Sequence, residues 1–226
     1  MTDAVKEELR ELRKRIAEAK LRALELDCAH AEVELGKAEI ELEQEQWHRR
    51  VREADWTKDL TLNFVGSVAK DSALAAIERL HLFHKVAPGQ PITIVFNSPG
   101  GSVIDGMALF DYIRFLQGLG HHITIIALGY AASMAGILLQ AADTRVMARG
   151  SWMLIHEVAF GAGGKIGDVE DTFEFGKRLK EQAAKIFVDR SGGKLTREKL
   201  EENWRRRDWW LDADEALALG LIDEIR

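Results

Sequence analysis

The chain has 226 residues, 46% of them hydrophobic, a formal net charge of −6 and one cysteine, Cys28. That length accommodates one well-packed domain and an appendage. The acidic balance argues against a general nucleic-acid surface, and a lone cysteine closes no intrachain disulfide and fits a reducing compartment. The opening residues, MTDAVKEELRELRKR, lack the apolar core of a secretory signal. No apolar stretch approaches the ~18 residues of a membrane span, so a cytoplasmic protein without membrane or nucleic-acid partners is expected.

Residues 1–55 read as a helical, coiled-coil-like extension. From Thr2 to Asp55 there is no proline and a single glycine, Gly36, among abundant Glu, Lys, Arg, Ala and Leu, all strong helix formers. Apolar or small residues at Leu9, Leu12, Ile16, Ala19, Ala23 and Leu26 alternate steps of three and four, a heptad seam. A second stripe follows at Leu21, Leu24, Cys28, Ala31, Leu35, Ala38 and Leu42. The pattern predicts one long helix, or two, pairing with other helices of its own or of a partner.

Residues 56–226 change to an α/β pattern. LTLNFVGSV (60–68) predicts a strand, Lys70–His84 a helix, and the β-branched run Ile92–Phe96 a buried strand. The turn Asn97-Ser98-Pro99-Gly100-Gly101 leads into a helix over Val103–Leu116. Ile123–Leu128 predicts another buried strand, with Gly129 opening a turn into a helix that includes Met134–Ala141. Strands at Arg145–Ala148 and Trp152–His156 and a long amphipathic helix over Asp168–Arg190 follow. Asp212 and Glu215 have capping-box spacing, and Gly220 sits where that last helix should stop. Strands alternating with helices imply mainly parallel pairing.

Two turns stand out, because active sites of open α/β sheets lie at the carboxyl ends of strands. One is NSPGG (97–101); the other is GYAASMAG (129–136), in which Ala131, Ala132, Ala135 and Gly136 let the backbone turn tightly around Ser133. A serine hydroxyl needs a base, and His156 closes the strand WMLIH downstream. A third member must hold the other imidazole nitrogen; composition does not choose among Glu157, Asp168, Asp208 and Asp212.

The segments FNSPGG, GYAASMAG, MLIH and RDWWLDADEALALGLIDEI, in this order from about Leu60 to Ile225, resemble the successive motifs of the Clp protease proteolytic-subunit family. The resemblance implies a crotonase-like core of repeated β-β-α units forming a spiral. It implies an ATP-dependent Clp-type serine endopeptidase with Ser133 as nucleophile, His156 as base and Asp208 as the residue that orients it. Gly101 and Met134 then supply the oxyanion-hole amides. It also implies polypeptide substrates, no cofactor, a homo-oligomeric ring that can stack on a second, and an ATPase unfoldase as partner. Two features depart from the family. The helical extension replaces the usual short axial loop and resembles tailed-phage head-maturation relatives, for which a capsid or scaffold protein is the partner. The stretch 158–171, VAFGAGGKIGDVED, lacks the proline that usually follows the histidine pair and is rich in glycine.

Other readings are weaker. A non-hydrolytic crotonase-type enzyme has no need of a Ser-His-Asp set, and a signal-peptide-peptidase relative would use a lysine base near a membrane. A purely structural assembly role would rest on the helical arm. His81, His84, His121 and His122 lack the completing ligands of a zinc geometry. Arg205–Arg207 read as a solvated or ion-paired run, and Trp204, Trp209 and Trp210 as core or interface. GAGGK (161–165) lacks phosphate-loop spacing.

Overall fold

The computed structural model describes residues 60–226 and, before them, residues 11, 14, 15, 18, 20–22, 30, 31 and 33–45. The chain divides into two compact units, Met1–Asp55 and Trp56–Arg226. In the first unit every described residue is helical, and Leu21, Ala31, Leu35, Ala38 and Leu42 of the second stripe are all exposed. The seam at Leu9, Leu12, Ile16, Ala19, Ala23 and Leu26, with Leu24 and Cys28, lies outside the described residues.

The second unit is mixed α/β, built on a largely parallel sheet. In chain order it runs β1 (Thr61–Val65), α1 (Lys70–Val86), β2 (Ile92–Ser98), α2 (Val103–Gly118), β3 (Ile123–Ala132) and α3 (Met134–Leu139). There follow β4 (Thr144–Met147), β5 (Trp152–Ile155), α4 (Ile166–Arg190), α5 (Arg197–Trp204), β6 (Trp209–Leu211), α6 (Ala213–Ala218) and β7 (Glu224–Ile225). Strands β1-β2-β3-β4-β7 pair in that order and in parallel, β5 joins β3 in parallel, and β6 pairs antiparallel with β5. Strand β2 alternates buried and half-buried side chains, as a strand covered on both faces does. Leu80, Phe83, Phe96, Ile123, Ile125, Leu138 and Trp204 form the centre of the core. No described helix is long and apolar enough to cross a membrane.

Two differences from the sequence expectation, and one agreement with it, bear on the site. Strand β3 does not stop at Leu128. It slips register against β2 between Phe96 and Ser98, with Gly129 at φ 77, and its last residues Tyr130–Ala132 leave β4 for β5. A bulge of this kind re-aims a strand end, here toward the strand that ends at Ile155. Helix α5 and strands β6 and β7 are additional, and too short to impose a period on the sequence. The capping box at α6 is present in full: Glu215 N–H donates to Asp212 Oδ1 at 2.8 Å and Asp212 N–H to Glu215 Oε2 at 3.0 Å, with Gly220 at φ 69 beyond the helix end.

The C-terminal strap is fixed by Arg145, a buried cation. Its guanidinium meets Asp223 at 2.6 and 3.0 Å and also donates to Gln140 Oε1 and to the carbonyls of Arg190 and Gly220. A charge can be buried when its donors are satisfied in this way.

Candidate active site

Ser133 sits between β3 and α3 at φ 57, ψ −124, a conformation few residues with a side chain adopt. Such strain costs of order 1–3 kcal/mol and is held only where the surroundings over-determine it. Here the surroundings are small and tightly packed. Ser133 N–H donates to Leu154 O on β5 at 2.9 Å, and Gly100 of the neighbouring turn lies so close that a Cβ on it would meet Ala132 O at 2.5 Å and Ser133 Cβ at 2.8 Å. The NSPGG and AASMAG turns thus need glycine and alanine where they touch.

The β3–β5 ladder carries His156 to Ser133. Ala132, the last residue of β3, pairs with Leu154, so Ser133 leaves β3 next to the end of β5, where His156 follows Ile155. His156 Nε2 lies 2.7 Å from Ser133 Oγ, within hydrogen-bond range. With the serine O–H donating, Nε2 is the unprotonated acceptor and the ring's proton resides on Nδ1.

Gly101 and Met134 face the same place. Among the described residues neither backbone N–H is taken by a carbonyl or a side chain. Gly101 is at φ 144, pinned by hydrogen bonds of Val68 N–H to Gly100 O and Ser102 N–H to Val68 O, each 2.8 Å. Gly101, Ser133, Met134 and His156 line one cavity of about 110 Å³ whose remaining walls are apolar, with Ile137, Ala183 and Phe187 among them. Ala183 and Phe187 come from α4, which the sequence shows as a long amphipathic helix, and only the fold turns them into a wall of the site.

Asp208 is not part of this group. It is exposed, in the link between α5 and β6, and makes no hydrogen bond to His156 among the described residues. The other carboxylates that the sequence left open are committed elsewhere. Asp212 caps α6, and Asp168 accepts from Lys165 N–H at 3.1 Å at the start of α4. Glu157 accepts from Lys180 Nζ at 2.8 Å and from Arg206 N–H at 3.0 Å. Those two hydrogen bonds, Lys180 first, hold the Glu157 carboxyl below its ordinary range. The sequence showed Glu157 as one candidate among four but gave no sign of its link to Lys180, which lies 23 residues on.

Four histidines outside the site are paired with other groups. His81 meets Tyr112 Oη, His84 meets His121, and His122 meets Thr144 Oγ1, each at 2.9 Å. No metal-binding group of His, Cys, Asp or Glu occurs among the described residues. Trp204 is fully buried, Trp209 packs against the core and Trp210 is half-exposed. In the arginine run, Arg207 donates to the carbonyls of Glu202 and Asn203 at the end of α5, where cations are favoured.

A Clp protease family model matches residues 44–226. Two proteins called ATP-dependent Clp protease proteolytic subunit, from two strains of Bacteroides fragilis, are 33% identical over 165 residues, covering 72% of this chain and 77% and 72% of theirs. A protein of the same description from Bacteroides thetaiotaomicron is likewise 33% identical over 165 residues, covering 72% of each chain. The chain belongs to the Clp protease family, and membership supports a serine-protease role. The expectation of an ATP-dependent enzyme is corrected in one respect: a proteolytic subunit is not itself an ATPase, and ATP dependence resides in an ATPase partner.

Proposed function

We propose that the chain is a serine endopeptidase in which Ser133 is the nucleophile, His156 the general base and Asp208 the residue that orients the imidazole. The observation that carries this reading is the 2.7 Å approach of His156 Nε2 to Ser133 Oγ at a strained turn beside two unused backbone amides. His156 takes the hydroxyl proton as Oγ bonds to the substrate carbonyl carbon. The N–H groups of Gly101 and Met134 receive the oxyanion, a placement that elsewhere is worth ~3–4 kcal/mol per donor. The imidazolium returns its proton to the leaving amine as the C–N bond breaks, and water, activated by the same histidine, releases the acyl group. The apolar cavity beside Ser133 suits an apolar side chain on the acyl side of the scissile bond.

The enzyme works as a self-compartmentalising ring of identical subunits on unfolded polypeptide, and a Clp ATPase supplies unfolding and the dependence on ATP. The family resemblance supports both statements. The test is labelling with a fluorophosphonate, located by mass spectrometry, in wild type and in Ser133→Ala. An adduct on Ser133 in wild type, lost in Ser133→Ala and in His156→Ala, is expected. Labelling that persists in Ser133→Ala would sink the assignment.

A further inference from the structure

The β5–β6 ladder pairs Met153 with Leu211, Leu154 with Trp210 and Ile155 with Trp209, and stops there. One further pair in the same register would set His156 opposite Asp208. Directly opposed residues of an antiparallel pair share a face, with Cβ atoms ~5 Å apart. That is the reach a carboxylate needs to accept from an imidazole. Trp209 holds the segment on one side of Asp208 through its pairing with Ile155. On the other side Arg206, at φ 58, donates its N–H to Glu157 Oε2 at 3.0 Å. The two sequence neighbours of His156, Ile155 and Glu157, therefore each fix one flank of Asp208.

Glu157 is itself braced. Its other oxygen takes Lys180 Nζ at 2.8 Å. Lys180 also meets Glu201 Oε2 at 3.0 Å and lies 5.6 Å from the Trp204 ring. Glu201 is held in turn by Arg197 at 3.0 Å. The chain of ion pairs runs from α4 and α5 to the backbone two residues before Asp208. A positive φ at an arginine persists only where something holds it, and Glu157 is what the structure provides.

We infer that Glu157 is a positioning residue for Asp208: its carboxylate, braced by Lys180, anchors Arg206 N–H and so keeps Asp208 opposite His156. The inference rests on the peptidase reading, and its test keeps the two apart. The rate of fluorophosphonate acylation at Ser133 is measured for wild type, Glu157→Ala and Glu157→Gln, each alone and with Asp208→Asn.

Glu157→Ala should slow acylation about tenfold, in line with the sensitivity of such sites to misplacement. Glu157→Gln keeps an acceptor for Arg206 N–H and should stay within about twofold of wild type. In the Asp208→Asn background Glu157→Ala should have no further effect, because both changes remove one contribution. Both members of that comparison carry the Asp208 change, so an effect of Glu157→Ala on folding alone would appear as a loss in each background. Equal slowing with and without Asp208 would overturn the inference. So would wild-type acylation in Glu157→Ala, or Glu157→Gln as slow as Glu157→Ala. An unlabelled wild type would overturn the peptidase reading and this inference with it.

Discussion

Gly101→Ala gives the sharpest test of the oxyanion assignment. A Cβ built on Gly101 lies 2.1 Å from Val68 O, whereas real Cβ contacts essentially never fall below 3.0 Å, so the two segments must part by at least 0.9 Å. The residue is also at φ 144, where an alanine is strained. Neither partner yields easily, because Val68 and the NSPGG turn are joined by two backbone hydrogen bonds of 2.8 Å. Oxyanion donors act within about 2.7–3.1 Å of the developing charge, a window narrower than this displacement. The change therefore removes one donor, which is worth about 2.7–4 kcal/mol, or roughly 10²–10³ in rate. The assay is kcat on an unstructured peptide, with thermal unfolding as a check on the fold. Gly163→Ala is the control, since nothing lies within 4 Å of the added methyl, and it should act like wild type. A folded Gly101→Ala enzyme within about tenfold of wild type would refute the assignment of that amide.

Four further outcomes follow from the same structure. Ala183→Leu adds bulk to the apolar wall beside Ser133 and should raise KM for peptides with a large apolar side chain at the scissile carbonyl, while labelling by a small fluorophosphonate is retained. Asp223→Ala strands the Arg145 guanidinium, whose side chain is 6% exposed against 38% for its partner; after discounting for that exposure it should cost about 2–3 kcal/mol and lower Tm by roughly 5–10 °C. Burial pushes the Asp223 carboxyl up, but the hydrogen bonds and charge of Arg145 outweigh it and hold the group below 3.8. Its stabilisation is thus present above that value and lost as pH falls through the lower folded one, so Asp223→Ala should flatten the acid limb of a Tm–pH curve. Burial first, and then the charges of His121, Lys85 and His81, hold His84 below 6.5; the folded state prefers the neutral ring, so stability is full above that value and falls below it, and His84→Gln should reduce that fall.

The pairing of Ser133 with His156 was legible because each residue is announced by its immediate neighbours. Small residues crowd Ser133 on both sides, and His156 ends an apolar run. The turn that holds Gly101 was legible as the break between a strand and a helix, but only the family resemblance singled out the amides of Gly101 and Met134. Asp208 was not legible from the residues themselves, and only the family resemblance singled it out. The proposed placement opposite His156 depends on a three-residue strand, β6, too short to show a period, and on the kink at Arg206. The extension of β3 to Ala132 was hidden by Gly129, which signals a turn in the sequence and forms a bulge within a strand in the fold. The Glu157–Lys180 pair joins residues on separate elements, and a charge read in sequence gives no partner at that distance.

Three junctions that share no contact frame the site. Ser133 and His156 are brought together by the β3–β5 ladder, and Ser133 N–H is bonded to the strand that carries the histidine. Their separation is therefore set by sheet pairing, which is stiff. Gly101 is placed by a different contact, the isolated parallel bridge to Val68 between β1 and α1. The segment around Asp208 is held by a third, through β6 and the Arg206–Glu157 hydrogen bond. Damage to the Gly101 bridge should leave the Ser133–His156 hydrogen bond intact, and so should loss of Glu157. Their effects on rate should multiply when combined, because in the proposed mechanism the Gly101 amide and the Asp208 carboxylate act on different atoms and share no partner. A double change of Gly101→Ala and Glu157→Ala that is no slower than Gly101→Ala alone would mean that the two junctions are coupled, and that the oxyanion turn senses the α5–β6 link through contacts other than those described.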